Sequence, residues 1–243
     1  MSAHQLSRCE GKPPIYRQIS DLLRQELQNL YKAGDQLPPE AELAMRFKVN
    51  RHTLRRAVDE LVADGLVTRR HGKGIYVLAP AIDYAIGSNT RFTETLEAQG
   101  AKTHSRVLRK QVIPARGGVA VRLQVADGSE VIFLETLREV DAKPFCIISH
   151  FLPLQLFPQV LESYGGGSLH QFLEQRCATK VQRQESLISA VLPEDDDAAY
   201  LNMPRNSPVL RVKSLNVAKE SQRPVEYVVT RFRGDATQLS IQP

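Results

Sequence analysis

The sequence has no tryptophan, only three cysteines and few aromatic residues among its 243 positions. Cys9, Cys146 and Cys177 are an odd number without paired spacing, so neither a disulfide framework nor a zinc site is indicated, and a reducing cytoplasm fits best. No apolar run approaches the roughly 20 residues that a membrane-spanning helix needs. The opening residues MSAHQLSRCEGK also lack the apolar stretch of a secretory signal, so we expect a cytoplasmic protein without a membrane partner.

Positive charge is modest in total but concentrated in the first third. The formal net charge is +5, and the 42% hydrophobic and 24% charged fractions are ordinary for a soluble globular protein of two domains. Residues 1–80 hold 13 Lys and Arg against 9 Asp and Glu, and six of these basic residues fall between Arg51 and Lys73. Such a stripe attracts a polyanion, although on charge alone a solvated face is the simpler explanation.

Apolar spacing predicts two helices before residue 50. From Ile15 to Leu30 the apolar residues recur at helical spacing until Gly34 and Asp35 break the pattern. A short second helix should start around Pro39, which suits the first helical position. The stripe of the first helix would be Ile15, Ile19, Leu22, Leu23, Leu27 and Leu30, and the core face of the second Leu43, Ala44 and Phe47.

A third helix should follow at once, with Asn50 as its N-cap. Two helices joined by so short a turn form a helix-turn-helix, whose second helix presents its first residues to base edges in the major groove. Arginine there can pair with guanine, and threonine can bond a phosphate or a base edge. The buried stripe would be Leu54, Ala57, Val58 and Leu61, and the other side Arg51, His52, Arg55, Arg56 and Asp59.

A hairpin is predicted after the third helix, which ends at Asp64-Gly65. Residues 66–70 and 75–78 read as two strands joined by His71-Gly72-Lys73-Gly74. The glycines permit a tight tip and leave backbone N–H groups free to approach a phosphate. The sequence therefore predicts a winged helix-turn-helix DNA-binding domain over residues 1–78.

Four segments within residues 13–78 resemble the GntR family of bacterial regulators. They are Leu37-Pro-Pro-Glu40, Phe47-Lys-Val-Asn-Arg51, Thr53-Leu-Arg-Arg-Ala57, and Gly65-Leu-Val with Gly72-Lys-Gly74. Family members contact DNA with the start of the recognition helix and with the wing. The DNA-binding residues implied here are Asn50, Arg51, His52, Thr53, Arg55, His71 and Gly72. Many relatives have an arginine where this chain has Ala41, so base readout from the second helix is not expected.

Residues 79–89 (APAIDYAIGSN) carry Pro, Gly and Ser without a clear period, and we interpret them as a linker. In residues 90–243 the sequence repeats weakly at about 77–80 residues. Leu96-Glu97 recurs as Leu173-Glu174, for example, and Pro144 recurs as Pro224. Each half would contain a helix, a strand, a helix and a two-strand hairpin, so we predict an α+β protein with a duplicated C-terminal α/β domain.

A duplicated domain offers a ligand site where its halves meet. The equivalent segments 90–93 and 167–170 each open a helix, and helix N-termini suit anions. Ser168 with Gln171 reads as a capping box, although ordinary capping explains Ser168 equally well.

Polar residues on two strands point to the same region. Arg138 shares a strand face with Thr136, and Glu226 shares one with Phe232. From the residues alone, Arg138 and Glu226 either bind the anion and the donor group of a ligand or simply pair across the strands.

Residues from about 90 to 240 resemble the HutC-type effector domain that is fused to GntR-type heads and is similar to the chorismate lyase fold. Its ligands are small metabolites, several of them phosphorylated. Arg91, Thr136 and His170 differ from the residues common in sugar-phosphate sensors, which permits a different anion. The effector-binding residues that the resemblance implies are Arg91, Thr93, Thr136, Arg138, Ser168, His170, Glu226 and Phe232.

Further segments resemble the regulators of phosphonate utilisation within this family: 49–57, 136–138, 146–150 and 167–170. The resemblance implies a repressor of phosphonate-utilisation genes that a phosphonate or phosphate-bearing ligand releases. A sensor of a sugar phosphate or an amino-acid catabolite is the alternative. We expect a homodimer on double-stranded operator DNA, because one recognition helix reads too few bases.

An enzyme of the lyase type is not favoured. The sequence has no nucleophile–base motif, no metal-ligand spacing and no glycine-rich phosphate loop, so no catalytic residue, metal or cofactor is expected. Scattered histidines such as His150 are more often structural.

Overall fold

The computed structural model describes residues 12–70, 72–79, 81–88, 92–98, 100–194 and 196–241. Tertiary contacts divide the chain into two units, residues 1–80 and residues 81–243. Mixed helix and sheet make up the described residues, as the α+β prediction requires. No helix among them is long and apolar enough to cross a membrane.

The first unit consists of three helices and a hairpin. Helices α1 (Ile15–Leu30), α2 (Glu40–Arg46) and α3 (Arg51–Ala63) precede strands β1 (Val67–Arg70) and β2 (Gly74–Val77). The two strands pair antiparallel and form the wing. A backbone bridge between Gln36 and Tyr76 joins the hairpin to the segment between α1 and α2.

One apolar core holds these elements together. The buried faces of α1, α2 and α3 meet under the hairpin, and burying each large aliphatic side chain contributes roughly 1.5–3 kcal/mol. The prediction that the apolar stripe of α1 extends to Leu30 is wrong. Leu30 is 73% exposed, because α1 stops there and the chain continues in an extended conformation at Tyr31.

The helix starts follow from local capping. Asn50 caps α3 as predicted, its side chain accepting a hydrogen bond from the backbone N–H of Thr53. Helix α2 begins one residue later than its proline, since Pro39 occupies the N-cap position. Glu40 and Glu42 then lie in the first turn, where negative charge favours the helix dipole.

The second unit repeats one order of elements. Strand β3 (Ile82–Ile86) precedes α4 (Phe92–Ala98), β4 (Thr103–Pro114), α5 (Gly118–Leu123), β5 (Glu130–Val140) and β6 (Lys143–Pro153). After α6 (Pro158–Ser163) come α7 (Leu169–Cys177), β7 (Val181–Val191), α8 (Asp197–Tyr200), β8 (Val209–Ala218) and β9 (Pro224–Arg233). Strand β10 (Thr237–Ile241) is the last described element. Each half thus has the predicted helix, strand, helix and hairpin.

The main sheet shows the duplication directly. Its six antiparallel strands have the order β4-β5-β6-β9-β8-β7, so that each half supplies a three-stranded meander. The halves join where β6 pairs with β9, with Cys146 opposite Phe232 and His150 opposite Val228. This junction is the place where equivalent residues of the two halves approach one another.

The segment interpreted as a linker contains a strand. Residues 82–86 form β3, which pairs in parallel with β10 at the other end of the unit. The interpretation of residues 79–89 as irregular chain was therefore wrong for these five residues. The local composition suggested a loop, but Tyr84 and Ile86 are buried in the core of the second unit.

The two faces of the sheet are covered differently. Arg138, Ile148 and His150 lie on the face that carries α4, α6 and α7. Helices α5 and α8 pack on the other face. On that face Arg231 forms ion pairs of 2.8 Å with both Glu135 and Asp197. Arg109 also lies 3.6 Å from Glu135, so two guanidinium groups face the two carboxylates, and we interpret the group as structural.

Candidate DNA-binding surface and ligand cavity

The start of α3 presents exposed polar side chains. Arg51, His52 and Arg55 are exposed, and Thr53 is half-buried. The Oδ1 atom of Asn50 accepts the Thr53 backbone N–H at 2.8 Å, which leaves the Asn50 amide nitrogen available as a donor. The predicted DNA-binding residues of this helix therefore lie together at one end.

Arg55 and Arg56 have different surroundings. The guanidinium carbon of Arg56 lies 3.9 Å from the centre of the Tyr16 ring, and its Nη2 atom donates to the Tyr16 hydroxyl at 3.3 Å. Within the described part of the chain, no side chain forms a hydrogen bond or ion pair with that of Arg55. Among the described residues, the Arg55 side chain is therefore exposed and unpaired, whereas Arg56 packs on Tyr16 of α1.

Arg69 on β1 is a positioning residue that the sequence analysis missed. It forms ion pairs with Asp59 on α3 and with Glu40 on α2, and donates to the backbone carbonyl of Arg55 at 3.2 Å. Burial favours a lower pKa for Arg69, but the two carboxylates raise it. Its charge is thus compensated, and it holds α2, α3 and the wing together beside Arg55.

Two side-chain hydrogen bonds hold the backbone of the wing tip. Gly72 has φ of 69°, in the left-handed region that glycine adopts at little cost. Gln36 Nε2 and the Tyr76 hydroxyl both donate to the Lys73 carbonyl, at 2.8 and 3.2 Å. Exposed Arg70 and Lys73 add positive charge that the sequence analysis did not assign to DNA. His71 lies outside the described residues.

A cavity lies in the second unit on the sheet face that carries α4 and α7, where the halves of the duplication meet. Aromatic side chains form one part of its wall: Tyr84, Phe92 and Phe232, with the Phe232 ring 5.3 Å from that of Tyr84. The aliphatic residues Ile86, Ile148, Leu169, Val212 and Val228 also line it. The polar lining residues are Thr93, Arg138, His150, Ser168, His170, Arg183, Ser214, Asn216 and Thr230.

Arg138 and the start of α7 form a positive end of the cavity. Arg138 is buried, and its Nη1 atom donates to the backbone carbonyl of Gly167 at 2.7 Å rather than to a carboxylate. Ser168 caps α7 by accepting from the Gln171 backbone N–H at 3.3 Å, which confirms the predicted cap. The free N–H groups of the first turn and the guanidinium can therefore bind an anion.

Glu226 lies beneath another part of the cavity and is fully buried. Its Oε1 atom is 2.5 Å from His150 Nδ1, and its Oε2 atom is 2.7 Å from His170 Nε2 and 2.6 Å from Asn216 Nδ2. Burial alone favours a raised pKa for Glu226, but His170, His150 and their hydrogen bonds hold the pKa well below its usual range. Glu226 is therefore an ionised acceptor.

Burial changes the titration of two other groups near the cavity. It lowers the pKa of His150 despite the opposing effect of Glu226, so this imidazole is neutral at neutral pH. It also raises the pKa of Tyr84 to about 12, partly offset by Arg183. The Tyr84 phenol is accordingly neutral.

The predicted effector residues fall into three groups. Thr93, Arg138, Ser168, His170 and Phe232 line the cavity. Thr136 and Glu226 are fully buried and are not among the lining residues, although both lie on the same sheet face. Arg91 lies outside the described residues.

Seven polar or aromatic lining residues were not among the predicted effector residues: Tyr84, Phe92, His150, Arg183, Ser214, Asn216 and Thr230. His150 and Asn216 could have been found, because period two places them on the same faces as Ile148 and Ser214. Tyr84 lies in the presumed linker, and no sequence signal identified it.

Family models match both units. A model described as bacterial regulatory proteins of the gntR family matches residues 15–77, and a UTRA domain model matches residues 98–238. The chain is 40% identical over 231 residues to the probable transcriptional regulator PhnF of Escherichia coli K12, covering 95% of each chain. It is 31% identical over 226 residues to the mannosyl-D-glycerate transport/metabolism system repressor MngR of the same strain, covering 93% of this chain and 94% of that protein.

A solved structure agrees with these matches. The crystal structure of PhnF from Mycobacterium smegmatis is similar with a TM-score of 0.65 at 26% identity, and the match covers 93% of this chain and 98% of that one.

Proposed function

Because this chain belongs to the GntR family of bacterial regulators and carries a UTRA domain, we propose that it represses phosphonate-utilisation genes until a phosphonate or phosphate-bearing effector releases it. Proteins of this class are transcriptional regulators rather than enzymes: their heads bind operator DNA and their UTRA domains bind small effectors. We assign the first task to residues 1–78 and the second to residues 90–243 together with strand β3, whose Tyr84 and Ile86 line the cavity.

We propose that α3 reads bases in the major groove. The free side chains of Arg51 and Arg55 support this role, since arginine pairs with guanine through two hydrogen bonds. In our proposal the exposed wing residues Arg70 and Lys73 and the backbone of Gly72 bind phosphates. In our proposal His52, Thr53 and the Asn50 amide add contacts at the helix start, and His71 adds one at the wing.

The active form in this proposal is a homodimer in the cytoplasm, where operator DNA is found. One α3 helix contacts only a few base pairs, and two copies related by a two-fold axis bind two half-sites. The effector then acts by binding differently to the DNA-bound and released states.

Arg138 is the observation that supports an anionic effector. It is a buried guanidinium that contacts a neutral carbonyl at the start of α7 inside a cavity, so a bound anion would compensate its charge. The choice of a phosphonate rests on the 40% identity to PhnF across both units. The relationship to MngR keeps a sugar-linked anion as the alternative.

A gel mobility-shift assay tests the proposal. DNA from upstream of the gene for this chain is bound by the protein and titrated with ethylphosphonate, inorganic phosphate and glucose 6-phosphate. We expect release by a phosphonate, and R138M should keep DNA binding but lose release, while R116M at an exposed site should respond normally. Failure of every phosphorus compound to release the DNA would refute the proposal, and release by the sugar phosphate alone would favour the alternative.

A further inference from the structure

Two buried acceptor atoms at the cavity have no hydrogen-bond partner among the described residues. They are Nε2 of His150 and Oδ1 of Asn216, and both residues line the cavity. An unpaired buried polar atom costs about 1–3 kcal/mol, so such atoms point to a group that binding supplies.

The carboxylate of Glu226 fixes which atoms are left unpaired. Because it is ionised and only accepts, the groups that face it must be N–H donors. His150 therefore carries its proton on Nδ1, and burial lowers its pKa so that Nε2 remains a bare acceptor. Asn216 turns its amide nitrogen toward Glu226 at 2.6 Å, which directs its oxygen away.

The start of α7 contacts both the positive end of the cavity and the carboxylate that orients the two acceptors. Gly167 contacts the Arg138 guanidinium, and His170 contacts Glu226, the shared partner of His150 and Asn216. Gly167 directly precedes the Ser168 cap and His170 lies in the first turn of α7, so their Cα atoms are at most about 10 Å apart. A ligand that reaches both ends is therefore short.

The number of unpaired acceptors distinguishes between donor groups. A hydroxyl has one hydrogen and satisfies one acceptor, whereas an ammonium group has three and satisfies both.

We propose that the cavity binds a short zwitterion, whose anionic group contacts Arg138 and the first turn of α7 and whose ammonium group donates to His150 Nε2 and Asn216 Oδ1. In taking the anionic group as a phosphonate, this rests on the function proposed above. The ligand class is then a short aminoalkylphosphonate, and Glu226 acts as a positioning residue that orients both acceptors.

Isothermal titration calorimetry of the full chain tests the ammonium directly. 2-Aminoethylphosphonate and ethylphosphonate share the anion and the carbon spacing and differ in the amino group. We expect the amino compound to bind about 10- to 100-fold more tightly, the effect of hydrogen bonds to a charged group. 2-Hydroxyethylphosphonate should bind between the two.

The variant N216L tests the acceptor. It should weaken 2-aminoethylphosphonate more than ethylphosphonate and so bring the two affinities close together, whereas a general defect of the cavity would weaken both ligands by the same factor. N206L, the same change at an exposed position, should keep the preference. If N216L does not fold, ¹⁵N NMR of the histidines replaces it, and the His150 Nε2 signal should shift with 2-aminoethylphosphonate and not with ethylphosphonate.

The outcomes separate this inference from the proposed function. If 2-aminoethylphosphonate binds no more tightly than ethylphosphonate or 2-hydroxyethylphosphonate, the proposal of a zwitterionic ligand is overturned. The proposed control by phosphonates is not affected by that result. If no phosphonate binds, the proposed function is refuted. Comparing the affinities of β-alanine and propionate, which also differ in the amino group, then tests whether the cavity binds a zwitterion. A preference of tenfold or more for β-alanine supports it, and a smaller or absent preference overturns it.

Discussion

The side-chain amide of Gln36 donates to the backbone carbonyl of Lys73 at 2.8 Å, so the wing tip is attached to the segment between α1 and α2. Gly74 makes this close approach possible. A Cβ atom at Gly74 would lie 2.6 Å from Gln36 Nε2, and the residue has φ of 106°. The orientation of the wing therefore depends on a residue distant in sequence from the hairpin.

Replacing Gln36 with alanine should loosen the wing without unfolding the first unit. We expect a several-fold loss of operator affinity in fluorescence anisotropy and a loss of at most about 1 kcal/mol of unfolding free energy, since the bond is exposed. Q28A on the exposed side of α1 is the matched control. Unchanged DNA affinity in Q36A would show that the wing position does not depend on this bond.

Arg55 and Arg56 give a second comparison, because each change to alanine removes one positive charge from the same helix. R55A should weaken operator binding by about 1–3 kcal/mol, as expected for a base-contacting arginine, with effector binding unchanged. R56A should affect DNA much less and lower the melting temperature slightly through loss of packing on Tyr16. Equal DNA affinities for the two variants would contradict the assignment of Arg55.

Asn50 combines a structural role with a possible DNA contact, and two substitutions separate them. N50A should cost about 1 kcal/mol of stability through loss of the cap on Thr53. N50S restores the cap and should recover the melting temperature. If the Asn50 amide contacts DNA, as we propose, N50S should still bind operator DNA more weakly than the unmodified chain, and full recovery of binding would remove Asn50 from the DNA-contacting residues.

The His150–Glu226 pair predicts how stability depends on pH. The lowered pKa of His150 means that below pH 6.5 the unfolded chain gains a proton that the folded chain does not, so stability falls. Glu226 has a pKa held well below 4.5, so its contribution is present above pH 4.5 and is lost as the pH drops through its folded value. Stability should therefore begin to decline below about pH 6.5 and decline more steeply below 4.5.

Thermal unfolding followed by circular dichroism from pH 8 downwards measures this dependence. The variant H150Q keeps a donor for Glu226 but has no titratable imidazole at this position. Its stability should not decline between pH 6.5 and 4.5 but should still decline below pH 4.5. An unaltered pH profile in H150Q would show that His150 is not held neutral by the fold.

The winged helix could be predicted closely from sequence because its signals are local. The cap at Asn50, the break at Asp64-Gly65 and the glycines of the hairpin each act within a few residues. Arg69 was missed because its role depends on carboxylates of two other elements, which spacing along the chain does not show.

The cavity was predicted less completely. The repeat located the junction of β6 and β9, and five predicted effector residues line the cavity there. Tyr84 could not be placed, because β3 is a strand only through its pairing with β10, more than 150 residues further along. His150 was interpreted as an isolated histidine, because the sequence does not show that Glu226 on the neighbouring strand β9 forms a hydrogen bond with its Nδ1 atom.

The position of strand β3 links the cavity to the connection between the two units. Four residues separate it from the end of β2, and through Tyr84 and Ile86 it forms part of the cavity wall. Through β10 it is also fastened to the far end of the same unit. The chain that leaves the first unit thus enters the second unit as a strand that lines the cavity, so a ligand that moved Tyr84 would move the residues next to the connection between the two units.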